Sequence, residues 1–294
     1  MQTFTFNVGD DKLVGNLFVP EGKAKGVVVT TGPLTSVKEQ APGVYAQALA
    51  ERGYVALAFD HRYFGESEGQ PRQFENPLAK IEDMKAAAHA LHADERFADL
   101  PVFAVGICAG AGYMVRAVAE DKIFQAFAGV AGVYKDLADT KKQMGDAYQA
   151  SIDRGKAAEA QWRAGAKAET IPAVGPHNGD VAMPLTEAYE YYGTKRGAVP
   201  NYVNGYAVQS NAYNLPYDSQ SVAPTITVPV LIVHSEHALA PSWAKKFYAA
   251  VTAPKQELWL ESKGQIDFYD DPKLINPAAD AIDTFFKKLT PQAS

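Results

Sequence analysis

Two alternating stretches open the chain. Residues 3–8 and 12–19 switch between apolar and polar positions, with Gly9-Asp10-Asp11 between them, and this pattern predicts a β-hairpin. Residues 26–30 form a short β-branched run, as expected of a strand buried on both faces. Helical spacing follows over 39–52, with Val44, Tyr45, Leu49 and Ala50 on one face. Gly53 closes that helix, and 54–59 predicts the next buried strand. Further helices are expected over 77–93 and 113–120, flanking an apolar strand at 101–105, and another strand over 124–133. Residues 228–234 and 257–261 predict two more strands, separated by a helix at 241–251. An amphipathic helix over 276–289 ends the pattern, with Ala279, Ile282, Phe285 and Phe286 apolar.

Strands alternating with helices imply βαβ units and hence an α/β fold with a mainly parallel sheet and right-handed crossovers. Residues 134–222 break the alternation: helical patterns at 138–168 and 185–192 are joined by Pro-, Gly- and Asn-rich connections. The expectation is a single domain, 1–294, with 134–222 inserted as a helical lid over the sheet edge. Tyr148, Tyr189, Tyr191, Tyr192, Tyr202, Tyr206, Tyr213, Tyr217 and Trp162 crowd this segment. Aromatic rings with polar tips suit a pocket for a flat or moderately apolar ligand, and equally suit packing on the lid's own core or on a dimer partner.

Composition narrows the function classes. At 294 residues, with 47% hydrophobic and 21% charged positions, the chain has the makings of a globular core. A net charge of −6 leaves no basic footprint for nucleic acid. No apolar run is long enough for a membrane span, and Met1 to Phe6 lacks the basic start and apolar core of a signal peptide. One cysteine excludes an intramolecular disulfide, which fits a reducing, cytoplasmic setting.

That cysteine lies in Val105-Gly106-Ile107-Cys108-Ala109-Gly110-Ala111-Gly112, between a predicted strand and a predicted helix. G-x-nucleophile-x-G in a strand–turn–helix context is a nucleophile elbow, here with Cys where Ser is usual. The next helix's N-terminal amides are expected to lower the Cys108 thiol pKa. A buried, inert cysteine beside a Gly-rich turn is the competing reading.

With Asp60-His61-Arg62-Tyr63-Phe64-Gly65-Glu66-Ser67, similar to a D-x-R-G-x-G-x-S turn, the chain resembles the α/β-hydrolase superfamily over nearly its whole length. Gly32-Pro33-Leu34-Thr35-Ser36-Val37-Lys38-Glu39-Gln40 resembles the oxyanion loop of the branch holding dienelactone hydrolases and fungal polyketide-transferase-like proteins. The resemblance implies an α/β-hydrolase fold with helices on both faces of the sheet. It assigns the two oxyanion donors to the N–H of Ala109 and of Leu34, because Pro33 has no N–H to give.

The same resemblance places a base histidine after the last strand, in a pattern like G-x-x-H. Gln265 stands there, and a carboxamide takes no proton at neutral pH. Counting back from Pro241 puts His237 where an acid is usual, with Glu236 adjacent. His237 reaching Cys108 from the acid's side is one reading, and a loop imidazole with no role is the other. Asp136, after the sixth strand, is the runner-up acid. His61 and Arg62 are expected to brace their turn, while His89, His92 and His177 carry no argument for chemistry.

No cofactor is implied, and His234, His237 and Cys108 lack the spacing of a metal site. The leading expectation is a hydrolase or acyltransferase for a small-molecule ester, thioester or lactone, working through a Cys108 acyl-enzyme, with a homodimer admitted. The alternative is a catalytically degenerate hydrolase-fold protein that binds a small aromatic or apolar ligand without turnover.

Overall fold

The alternating N-terminal segments pair as an antiparallel hairpin in the computed structural model, which describes residues 1–177 and 179–290. Its strands are β1 (Gln2–Val8) and β2 (Asp11–Phe18). Then come β3 (Val27–Thr31), α1 (Ala41–Ala50), β4 (Val55–Phe59), α2 (Pro77–Ala93), β5 (Val102–Ile107), α3 (Ala109–Glu120) and β6 (Phe124–Val130). The inserted stretch carries α4 (Leu137–Met144), α5 (Asp146–Arg163), β7 (Thr170–Ile171), α6 (Thr186–Tyr192), β8 (Tyr206–Ala207) and α7 (Asn211–Asn214). The chain returns through β9 (Val230–His234), α8 (Pro241–Ala250), β10 (Lys255–Trp259), α9 (Asp267–Asp270) and α10 (Pro272–Lys287).

Eight strands form one sheet in the order β1-β2-β4-β3-β5-β6-β9-β10. The pairings β1–β2 and β2–β4 are antiparallel and the remainder parallel. Strands β3, β4 and β5 are buried at every position, which explains their unbroken apolar runs. One face packs against α2, α3 and α8 through Met84, Leu91, Met114 and Phe247. The other packs against α1 and α10 through Tyr45, Leu49, Ile282 and Phe286. The parallel run changes direction of travel at β3, which lies between β4 and β5. Crevices outside strand C-termini at such a switch point are where open α/β sheets place their ligands.

Boundaries move where local chemistry outweighs periodicity. Helix α2 spans the predicted residues because Asn76 caps it, accepting from the N–H of Leu78 and Ala79, with Pro77 in its first turn. Strand β6 stops at Val130, short of the expected 133, because Ala131 turns to φ 43°. Strand β10 lies two residues earlier than the pattern suggested, in register with β9 from Lys255↔Val230 to Trp259↔His234. Helix α10 begins at Pro272 under an Asp271 cap, with Pro277 inside it. Among the described residues, no helix is long and apolar enough to cross a membrane.

Candidate active site

Two adjacent strand ends, those of β3 and β5, build the site. Cys108 follows β5 directly, at φ 55° and ψ −126°, and α3 starts at the next residue. A non-glycine residue held at positive φ costs about 1–3 kcal/mol and persists only where its surroundings enforce it. The flanking glycines supply that enforcement. A Cβ on Gly106 would lie 2.4 Å from the Ala111 Cα, and one on Gly110 would lie 2.5 Å from the Gly32 carbonyl oxygen. Their absence lets α3 rise from the strand end and brings the 32–35 loop against the elbow. The Cys108 carbonyl accepts from Ala111 N–H (3.1 Å) and Val133 N–H (2.9 Å).

The thiol is 7% exposed. Burial pushes its pKa up, and four groups facing the sulfur work against that rise: the Tyr269 hydroxyl, the Ala109 N–H, the Gln265 side chain and the Leu34 N–H. The expected lowering of the thiol pKa is therefore corrected: desolvation outweighs the helix N-terminus here. Leu34 and Ala109, assigned as donors from their positions, converge on the same sulfur from two different elements.

Gln265 is 1% exposed and fully engaged. Its Oε1 accepts from Leu239 N–H (2.9 Å), and its Nε2 donates to the Ala131 carbonyl (2.8 Å) and to Tyr269 Oη (3.1 Å). Tyr269 lies four residues on, so the two side chains share one face of the short 265–270 turn. That spacing was the only signal in the sequence for Tyr269.

His237 and Glu236 are not brought to the thiol. Both are exposed, and Glu236 pairs with Lys245 at 2.5 Å. Ala240, at φ 48°, bends the loop so that the backbone of Leu239, and not the side chain of His237, reaches Gln265. Asp136 accepts from Asp139 N–H as the cap of α4 and pairs with Lys246. His234 lies against the carbonyls of Gly132 (3.1 Å) and Ser235 (3.0 Å). His61 and Arg62 both bond Asp83 on α2, and His61 Nε2 lies 2.9 Å from Thr31 Oγ1, so they tie the turn after β4 to α2 and, through His61, to β3.

A cavity of about 200 Å³ opens on the sulfur, lined by Leu34, Cys108, Ala109 and Tyr113 from the sheet side and by Met183, Leu185 and Asn214 from the inserted segment. Larger hollows, such as one of about 680 Å³ beside Phe18 and Gln47, include none of these groups. Several of the segment's tyrosines pack on one another and on Tyr269. Tyr191 and Tyr192 pack edge-to-face at 4.7 Å, and their rings stand 5.6 and 6.5 Å from that of Tyr269.

Raised thiol pKa has a direct consequence for alkylation. Iodoacetamide should modify Cys108 slowly at neutral pH, with half-maximal rate above the free-thiol value of about 8.5, because only the thiolate reacts. A half-maximum at or below that value would mean that the donors outweigh burial.

Residues 24–164 match the family described as serine aminopeptidase, S33. The chain is similar to the uncharacterized protein PA2218 of Pseudomonas aeruginosa, 31% identical over 275 residues that cover 88% of this chain and 72% of that one. The crystal structure of PA2218 superposes with a TM-score of 0.82, at 27% identity, over 98% of this chain and 92% of that one. It is also similar to the uncharacterized protein YcjY of Escherichia coli, 30% identical over 270 residues, 89% of this chain and 88% of that one. A shorter likeness, 39% over 72 residues, is to thiohydrolase aneE of Aspergillus aculeatus and covers 24% of this chain and 22% of that one. With a mainly parallel sheet and an elbow after its fifth strand, the chain belongs to the α/β-hydrolase family.

Proposed function

We propose that this protein is an acyl-transfer enzyme in which Cys108 attacks an activated carbonyl, a thioester before an ester or lactone. The observation that carries this reading is the convergence of the Leu34 and Ala109 N–H groups on a cysteine held in a strained elbow, at the mouth of a cavity. Two backbone donors beside the nucleophile are the groups that would receive the oxyanion once the sulfur attacks a carbonyl.

The chemistry then selects the leaving group. The Cys108 Sγ–acyl bond forms as the bond to the leaving group breaks, and the thiol proton finishes on that leaving group. A thiol displacing a thiol is close to balanced in proton affinity, so a site without a titrating base can still perform it. An alkoxide leaving group would need a stronger acid than Tyr269, whose hydroxyl pKa burial drives well above its usual value. Water, or an acceptor that needs less activation, then takes the acyl group and returns a proton to Sγ. Gln265 acts as an orienting group, locking Tyr269 beside the sulfur. Residues 134–222 act as a lid whose Met183 and Leu185 exclude water from the acyl chain. The partial likeness to a thiohydrolase supports the thioester class, and a cytoplasmic setting would keep the single thiol reduced.

A second reading, ligand binding without turnover, is favoured by one feature. Both ends of Gln265 are occupied and His237 is exposed, so among the described residues neither position offers the thiol a base. Intact-mass spectrometry separates the two readings. Incubation with short-chain acyl thioesters of N-acetylcysteamine should add one acyl group to Cys108 and release thiol in a burst equal to the enzyme present, with neither event in Cys108→Ala. No adduct, and release at the Cys108→Ala level for every chain length, would replace the enzyme by the binding protein.

A further inference from the structure

Lys38 and Lys80 carry their ammonium groups away from solvent with carboxylates in hand, and Lys135 is half-buried beside the Cys108 cavity. Lys38, 1% exposed, pairs with Asp60 at 2.9 Å, with Glu39 at 2.8 Å and with Glu66. Lys80, 3% exposed, pairs with Glu75 at 2.7 Å. Such pairing is the usual condition for burying a charge.

Lys135 departs from it. Its Nζ donates to the Asn214 carbonyl at 2.5 Å, and among the described residues no carboxylate lies within ion-pair distance. Asp218 is the charge acting on it, but both Asp218 oxygens already accept backbone N–H groups, from Leu137 (3.1 Å) and Ser221 (2.9 Å). Burial lowers the Lys135 pKa to about 8. An ammonium has three donors, so two remain for a further partner. Lys135 and Asn214 both line the cavity into which Cys108 opens, and the rest of that lining is largely apolar, including Leu34, Met183 and Leu239.

We propose that Lys135 is a specificity-determining residue that receives a carboxylate at the far end of the substrate's acyl chain, so that the preferred substrates are thioesters of short dicarboxylic acids. The proposal rests on the acyl-transfer reading of Cys108 and adds to it the class of acyl group. The cavity, about 200 Å³, is smaller than the roughly 300–1,000 Å³ of pockets for drug-sized ligands and so suits a short acyl group. A chain of about four or five carbons counted from the thioester carbonyl to the carboxylate inclusive, as in succinyl or glutaryl, suits that space. An incoming carboxylate gives Lys135 the partner that Lys38 and Lys80 have within the fold. A neutral terminus leaves the ammonium desolvated and half-bonded, which is the stronger source of discrimination.

The test compares the glutaryl thioester of N-acetylcysteamine with its carboxamide isostere, of the same shape and without the charge. A hydrogen bond to a charged group corresponds to a preference of about 10- to 100-fold in kcat/KM for the carboxylate, carried mainly by KM. In Lys135→Met that preference should fall to near unity, and Lys135→Arg should retain part of it. Equal kcat/KM for the two thioesters in the wild-type protein would overturn the proposal, as would a preference surviving unchanged in Lys135→Met. Thermal unfolding with free glutarate supplies a readout independent of acylation. The wild-type midpoint should rise with glutarate and the Lys135→Met midpoint should not, with both variants folded by circular dichroism. If neither thioester acylates Cys108 while glutarate still protects only the wild type, the acyl-transfer reading fails and the carboxylate site stands. If glutarate protects neither, the carboxylate site fails, whatever Cys108 does.

Discussion

Cys108→Ser is expected to lose activity as completely as Cys108→Ala, by about 10³-fold or more on acyl thioesters. In a hydrolase with a histidine base, serine is the natural nucleophile and the exchange would be mild. Among the described residues, the groups acting on Cys108 include two backbone N–H groups, the Gln265 carboxamide and the hydroxyls of Tyr269, Tyr113 and Tyr192, none of which accepts a proton near neutral pH. A thiol ionises within reach of physiological pH even when burial raises its pKa, whereas a hydroxyl needs a base worth about 10²–10⁴ in rate. The hydroxyl also keeps the elbow's shape, so a loss cannot be assigned to a collapsed turn. Initial rates of thiol release, together with intact mass for an acyl adduct, give the answer. Activity of Cys108→Ser within tenfold of the parent would reveal a base that this geometry does not contain, and His237 would be the first residue to revisit.

The elbow at Cys108 and the nearness of the Leu34 and Ala109 N–H groups to its sulfur were legible because they depend on backbone position. Gly106 and Gly110 mark where side chains cannot fit, and the N–H after the nucleophile points where the turn sends it. Leu34 followed from Pro33 having no N–H. Side chains that reach the site from distant parts of the chain left weaker traces. His237 was placed by counting from Pro241, yet the positive φ of Ala240 redirects that loop and leaves the imidazole in solvent. Tyr269 sits on a four-residue helix too short to show periodicity. Lys135 follows Val133 and Tyr134 at the end of an apolar run, and only the fold shows that it borders the Cys108 cavity. The strand order was equally hidden: β3 between β4 and β5 is a long-range choice that no local pattern encodes.

Glu75 is another group that only the fold reveals, and Glu75→Leu should destabilise the protein by about 3–5 kcal/mol, the range for breaking a buried ion pair from one side. Glu75 is fully buried, and its carboxylate binds Lys80 (2.7 Å) and the N–H of Thr35 (2.9 Å). Removing it strands the Lys80 ammonium, which then keeps the rings of Phe64, 4.6 Å from the centroid, and Tyr113, 5.9 Å away. Glu75→Leu combined with Lys80→Met removes both charges and should recover most of that loss, since an apolar pair can replace a buried ionic one at little net cost. Catalysis should not recover with it. Thr35 is a β-branched residue at φ 60°, a conformation costing about 1–3 kcal/mol, and Glu75 is the acceptor that holds its N–H. Its neighbour Leu34 offers one of the two donors at Cys108. Without the Glu75 anchor the loop relaxes, and the acylation rate should stay depressed in the double variant although its urea midpoint returns towards that of the parent. A double variant as unstable as Glu75→Leu would exclude the stranded ammonium as the cause. One that regains full acylation along with stability would show that the Leu34 N–H holds its place without Glu75.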